Sequence, residues 1–365
     1  MLSGTLFLTL KVFSATGGIE KVSRIAGKAL NELYADVDIY SMHDKQDDAN
    51  EKYFPLNHFK AFNASKVQFV TSSVAAGRKK KLVIMSHINL LAVGYLIKSF
   101  SPSTKLVLLA HGIEVWKKFR GLKKKMLQHC DLILPVSRYT MNTMSGMNKL
   151  EASRFRVLNN CLDPFLQQPR TKAKSQELLS RYGFTKQHSI LMTLCRMSSE
   201  ERYKCYDKVL MAMKELNMPN LRYMIIGSYD KEEKTWIDSL VRDLNLEDSV
   251  VFTGFVEDDE LADHFNLTDL YVMPSTNEGF GIVFIEAMYY GKPVIAGNKD
   301  GSVDALNNGS FGTLVDPHDV KELSKAIAHN LDPGNSLNPG RDMLNDKFSY
   351  DKYRKNLESI LNESV

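Results

Sequence analysis

Short apolar runs rich in β-branched residues recur along this chain, each followed by a stretch of helix length, and this alternation restricts the fold more than any other feature. In the first half the runs are Leu6 to Phe13, Val67 to Val70, Leu82 to Met85, Leu106 to Ala110 and Leu132 to Val136. A second series starts at Ser189 to Leu194 and continues through Tyr223 to Ile226, Val250 to Phe252, Leu270 to Met273 and Val294 to Ala296. Strands separated by helices pair in parallel, because a parallel connection needs a crossover. The restart, in a chain of 365 residues, predicts two α/β domains, since one core seldom organises that length. The polar stretch Gln167 to Gln176 separates them. The expected divisions are residues 1–165, 166–347 and a last segment 348–365, in which Tyr350 to Leu361 carries apolar residues at helical spacing. Two facing Rossmann-like, doubly wound domains imply a cleft, with ligands beyond the carboxyl ends of the strands.

Composition removes several classes. Cys130, Cys161, Cys195 and Cys205 form no CxxC pair, so a disulfide scaffold and a cysteine metal site are not expected, and a reducing cytoplasm fits. No apolar run approaches the ~20 residues that span a bilayer, and Lys11 interrupts the first one. That stretch also lacks a basic leader and a small-residue cleavage site, so it reads as a buried strand. Charge is uneven: residues 1–165 hold 24 Lys and Arg against 12 Asp and Glu, whereas the remainder is net acidic. The basic residues cluster in Arg78 to Lys81 and in Lys117, Lys118, Arg120, Lys123, Lys124 and Lys125. Such runs are either solvated faces or contacts for an anionic surface. They lack the interleaved aromatics of a nucleic-acid site.

The segment Asn277-Glu278-Gly279-Phe280-Gly281-Ile282-Val283-Phe284-Ile285-Glu286 follows the strand ending at Met273. Its glycines let backbone approach a ligand, and the first amides of the helix that follows can donate to hydroxyls or phosphate. Glu278 and Glu286 are about two helical turns apart, on the order of 12 Å, too far to share a proton or a metal ion. They suit two parts of an elongated ligand.

This segment resembles the paired-glutamate motif of the retaining glycosyltransferases of family 4, the glycosyl transferases group 1, whose fold is GT-B. The resemblance spans nearly the whole chain. It implies that Glu278 binds donor-sugar hydroxyls, that Glu286 holds the ribose, and that Gly279, Phe280, Gly281 and Ile282 orient the sugar. The loop Cys195-Arg196 to Lys204-Cys205 resembles the family's Arg...Lys-Gly motif, implying that Arg196 and Lys204 meet the diphosphate, with no metal ion. Cys205 stands where that motif has glycine, and Arg202 reads as a solvated neighbour. Gly227-Ser228-Tyr229 resembles the Gly-x-Gly loop near the nucleotide, with Tyr229 replacing the second glycine. The stretch Val251 to Val256 resembles the segment beside the base.

In the first half, Gly17 and Gly18 open a helix after the first strand, and by resemblance lie over the donor phosphates. The turn is not GxGxxG, and no clear ribose-binding acid stands on a second strand in the expected place, which argues against a dinucleotide dehydrogenase. His111 follows the strand Leu106 to Ala110 and by resemblance faces the transferred sugar. His87, Ser137 and Arg138 occupy comparable strand ends. The last helix by resemblance crosses back to the first domain. The resemblance therefore implies a metal-independent hexosyltransferase that uses a UDP- or GDP-sugar and a glycan or lipid-linked acceptor. It would act in surface polysaccharide or glycolipid synthesis, in the cytoplasm or peripherally on the inner membrane face. A nucleotide-sugar epimerase and a non-catalytic nucleotide-sugar-binding protein are the alternatives.

Overall fold

The computed structural model describes residues 4–171, 173–332 and 334–364. The chain divides into two compact units, Met1–Asp163 with Phe348–Val365, and Pro164–Lys347.

The first unit contains a six-stranded parallel sheet of β1 (Thr5–Thr9), β2 (Val37–Ser41), β3 (Phe59–Ala61), β4 (Leu82–Met85), β5 (Lys105–Ala110) and β6 (Leu132–Pro135). Its order is β3-β2-β1-β4-β5-β6. β4 and β5 are almost wholly apolar and, like β1, buried, as expected of central strands covered by helices on both faces. The second unit repeats the plan with β7 (Ser189–Leu194), β8 (Leu221–Ile226), β9 (Val250–Gly254), β10 (Leu270–Met273), β11 (Val294–Gly297) and β12 (Thr313–Val315). These lie in the order β12-β11-β10-β7-β8-β9. Both are the doubly wound 3-2-1-4-5-6 topology, in which strand order reverses beside the first strand of each unit. The reversal falls between β1 and β4 in one sheet and between β7 and β10 in the other. Loops leaving those four strands are where a ligand is expected.

One strand expected from the sequence is wrong. Val67 to Val70 lies in the helix Lys66–Gly77, which buries Phe69, Ser73 and Gly77, spaced four apart on one face. The β-branched pair suggested a strand, but tertiary packing of that face overrides local preference. The first strand also ends earlier than expected, at Thr9. Beyond it the chain forms a loop gripped by the buried Asp44 carboxylate, which accepts from the amides of Val12 (2.7 Å) and Ser14 (2.8 Å). Strands β2, β3 and β12 carry too few apolar residues to stand out. In β2 only Val37, Ile39 and Ser41 face inward.

The chain ends in the helices Gly340–Phe348 and Tyr350–Ser364. The latter buries Tyr353, Leu357 and Leu361 and packs on the helix Gly18–Leu33, where the Tyr350 hydroxyl donates to Glu32 at 2.7 Å. Among the described residues, no helix is long and apolar enough to cross a membrane.

Candidate functional site

The two strands that flank the reversal in the second unit, β7 and β10, send out the Arg196 loop and the Glu278 loop, which bind each other. Lys204, at the end of the 3-10 segment Ser199–Lys204, forms an ion pair and hydrogen bond with Glu278. The amide of Thr276 donates to the carbonyl of Tyr203 at 2.9 Å. Burial alone would lower the Lys204 pKa, but the Glu278 carboxylate, with a smaller contribution from Tyr203, holds it above the ordinary lysine range. The cation therefore stays charged, and both side chains retain some exposure, 14% and 17%.

The Glu278 loop is supported from the neighbouring strand by Asp300, which follows β11. Its buried carboxylate accepts from the Glu278 amide (2.6 Å), the Ser275 hydroxyl (2.9 Å) and the Ser302 amide (2.9 Å). Burial pushes its pKa up to about 6, despite those hydrogen bonds. The Gly301 amide closes the arrangement by donating to the Glu278 carbonyl at 2.8 Å. A side chain at Gly301 would bring a Cβ to 2.0 Å from the Gly279 carbonyl, so these backbones can touch only because 301 is glycine.

Gly281 starts the helix Ile282–Tyr289 with φ +83°, a left-handed conformation that costs an L-residue about 1–2 kcal/mol. A Cβ there would also lie 2.3 Å from the Phe284 ring. Gly281→Ala is expected to destabilise the second unit by about 2–4 kcal/mol, read as a lowered urea midpoint. Phe280 and Ile282 are buried beside it, and Glu286 is 4% exposed on the same helix.

The sequence-expected clamp is only partly assembled. Lys204 sits on Glu278, whereas Arg196 is largely exposed and donates to Glu201, with Nε at 2.9 Å from Oε1. Arg202, read from sequence as a solvated neighbour, is instead tied down. It pairs with the fully buried Glu233 at 2.8 Å and lies 3.9 Å over the Trp236 ring, and Glu233 also accepts from the Tyr206 hydroxyl. Cys205, in the motif's glycine position, adopts φ +59° and ψ +33°, the conformation that glycine would take without strain. Gly227 has φ +136°, and a Cβ there would lie 2.0 Å from the Cys195 carbonyl, so the loops after β7 and β8 meet through this glycine. Arg196, Ser198, Ser199, Ser228, Tyr229 and Asp230 help line an open pocket of about 460 Å³ between those loops.

In the first unit, the β1 and β4 loops at the reversal carry Gly17, Gly18 and His87, and β5 beside them carries His111. Gly17 precedes the helix Gly18–Leu33 without a side-chain cap. The space a Cβ would occupy at Gly18 is open, whereas at Gly17 the Glu20 carboxylate lies close. His111 Nε2 donates to the Ser86 carbonyl at 2.7 Å, and its amide donates to Glu114 Oε1 at 2.7 Å. The ring is thus oriented, with a proton on Nε2. His87 Nδ1 accepts from the Asn89 amide at 3.1 Å, and burial, then the opposed charges around it, leaves its pKa below the ordinary value. Ser137 caps the helix Arg138–Asn148 by accepting from Thr140 at 3.1 Å.

Sequence reasoning missed Asp300, Asp44 and Glu233. Asp300 had a readable signal, an acid followed by glycine at the carboxyl end of the strand next to the Glu278 strand. Asp44 and Glu233 act through distant backbone and side-chain partners that no local pattern announces.

Residues 186–338 match the family model described as glycosyl transferases group 1. Over 212 residues, the chain is 26% identical to mannosylfructose-phosphate synthase of Agrobacterium fabrum, covering 55% of this chain and 46% of that protein. Over 237 residues it is 29% identical to GDP-mannose-dependent alpha-(1-6)-phosphatidylinositol monomannoside mannosyltransferase of Mycolicibacterium smegmatis, covering 61% and 60%. The matched region thus spans about half to three-fifths of these curated relatives. Among solved structures, Anabaena Alr3699/HepE in complex with UDP and glucose superposes with a TM-score of 0.78 at 18% identity, over 98% of this chain and 99% of that one. Sucrose-phosphate synthase from Thermosynechococcus elongatus gives 0.76 at 19% identity, over 98% of each chain. These likenesses establish the GT-B fold, with its two Rossmann-like domains.

Proposed function

We propose that this chain, whose residues 186–338 match the family model of glycosyl transferases group 1, transfers a sugar from a nucleoside-diphosphate sugar to an acceptor hydroxyl with retention of anomeric configuration. The observation that carries this reading is the pairing of Lys204 with Glu278 across the β7 and β10 loops, at the point where strand order reverses. It puts a cation for a leaving phosphate beside a carboxylate for sugar hydroxyls. The UDP of the Anabaena complex and the GDP-mannose of the mycobacterial relative support a nucleotide-sugar donor.

In this mechanism Glu278 binds donor-sugar hydroxyls and the backbone from Gly279 to Ile282 orients the ring. Glu286 holds the ribose, and Gly227 gives the nucleotide close access to the backbone. Bond cleavage puts negative charge on the departing diphosphate, and Lys204 and Arg196 neutralise it, Arg196 exchanging Glu201 for phosphate. The acceptor hydroxyl attacks from the face the diphosphate leaves, and a departing phosphate oxygen takes its proton. Gly17, Gly18 and His111 serve from the first unit, the glycines toward phosphate and the imidazole toward the sugar. No metal ion is needed, because the two side-chain cations carry the charge.

The acceptor is a glycan or a lipid-linked sugar, and the enzyme works in the cytoplasm or peripherally on an anionic membrane face. Its products belong to surface polysaccharide or glycolipid synthesis. The mycobacterial relative's named substrate, a phosphatidylinositol mannoside, supports the lipid-linked case.

A thermal-shift panel of UDP, GDP and their sugars in EDTA tests the donor site. A true donor at 100 times its Kd adds about 2.7 kcal/mol and raises Tm without metal. A shift that appears only when a divalent ion is restored would exclude the metal-free scheme, and no shift with any nucleotide would exclude the donor site.

A further inference from the structure

The two basic runs of the first unit differ in what surrounds them. Lys80 of the first run is neutralised by Asp36 (2.5 Å) and Asp38 (2.9 Å). That run also lies at the amino end of the sheet, where the Lys81 amide donates to the Gly4 carbonyl. The second run follows β5 at the carboxyl end. Among the described residues, none of Lys117, Lys118, Arg120, Lys123, Lys124 and Lys125 forms an ion pair.

Two of these cations share one aromatic neighbour. The ammonium groups of Lys117 and Lys123 lie 6.0 and 5.3 Å from the centre of the same ring, Phe119. Lys123 reaches the Asn89 side-chain oxygen at 3.3 Å, on the loop after β4. Burial, followed by repulsion from Lys117, holds the Lys123 pKa below the ordinary lysine value. Glu114, the nearby acid, is engaged by the His111 amide. Two like charges set about one ring, neither paired with a carboxylate, are relieved when an anion binds beside them.

We propose that Lys117 and Lys123, set about Phe119 with Asn89 beside them, form a phosphate-binding subsite at the carboxyl end of the first sheet. The ligand is a phosphate ester, either on a soluble molecule or in a lipid headgroup. That this phosphate belongs to the acceptor rests on the transferase reading, but the subsite does not, so its test involves no turnover.

The full chain is titrated calorimetrically with glycerol 1-phosphate and sedimented with phosphatidylglycerol or phosphatidylcholine vesicles. The double variant Lys117→Ala/Lys123→Ala is compared with wild type and with Lys79→Ala/Lys81→Ala, two exposed residues of the other run. The expected result is at least tenfold weaker binding in the first variant and little change in the second. Loss in the calorimetric arm assigns a soluble phosphate ester, and loss only with phosphatidylglycerol vesicles assigns a lipid headgroup. Unchanged binding in both arms, or equal losses in the two variants, overturns the subsite.

Discussion

Glu278→Ala is expected to lower turnover by about 10²–10³-fold while leaving nucleotide affinity within severalfold of wild type. The carboxylate has two tasks in the proposed mechanism. It meets sugar hydroxyls as the ring distorts toward the transition state, and it fixes Lys204, whose ammonium it binds directly. Contacts that strengthen as the bond breaks affect kcat, whereas contacts equal in both states affect KM. In that mechanism the nucleotide is held by Arg196, Gly227 and Glu286, so binding of the free diphosphate should persist. Steady-state kinetics with calorimetry of UDP and GDP checks both halves. Unaltered kcat would remove Glu278 from the mechanism.

Asp300→Ala should affect both stability and turnover. The substitution strands two backbone amides and a hydroxyl, each previously donating to the carboxylate, and an unsatisfied buried donor costs about 1–3 kcal/mol. We expect a loss of about 2–4 kcal/mol in urea unfolding, and at least tenfold in kcat as the Glu278 loop loses its anchor.

Asp300 also gives stability and turnover opposite pH dependences. Its folded pKa, about 6, lies above the ordinary value of 3.8. Such a group favours folding fully below about pH 4, and that contribution is lost as pH rises through about 6, on the order of 3 kcal/mol in all. Turnover should instead rise across the same window, because the ionised carboxylate is the stronger acceptor for the Glu278 amide. Asp300→Asn should abolish this component of both pH profiles, and an unaltered pair of profiles would assign the titration elsewhere.

The sequence was most readable where physics is local. Strands such as Leu82–Met85 and Leu270–Met273 are apolar on both faces because helices cover both, so they stand out as short continuous runs. The strand–glycine–helix order around Gly281 likewise announced close backbone approach before any coordinates. Legibility failed where one face decides the structure. Val67 and Val70 looked extended, yet Phe69 and its helical neighbours turn inward. β2 and β12 escaped notice because they are short and only partly apolar.

Within the site, the chemistry-bearing residue types were readable, but their partners were not. Nothing local ties Arg202 to Glu233, 31 positions away, or Asp300 to the Glu278 amide, 22 positions away. Such bonds depend on which strands become neighbours, and the β7–β10 pairing that joins the two loops is itself non-sequential. Cys205 shows the converse. The residue departs from the family motif, but the backbone keeps the left-handed turn that the motif's glycine would supply.

The most direct test follows the anomeric proton by NMR while the purified chain, in EDTA, turns over the nucleotide-sugar that stabilises it, with and without a lipid-linked or glycan acceptor. Transfer by the mechanism proposed here gives an acceptor-dependent product whose anomeric configuration matches the donor's. An inverted product, or donor consumed equally well without acceptor, would contradict it.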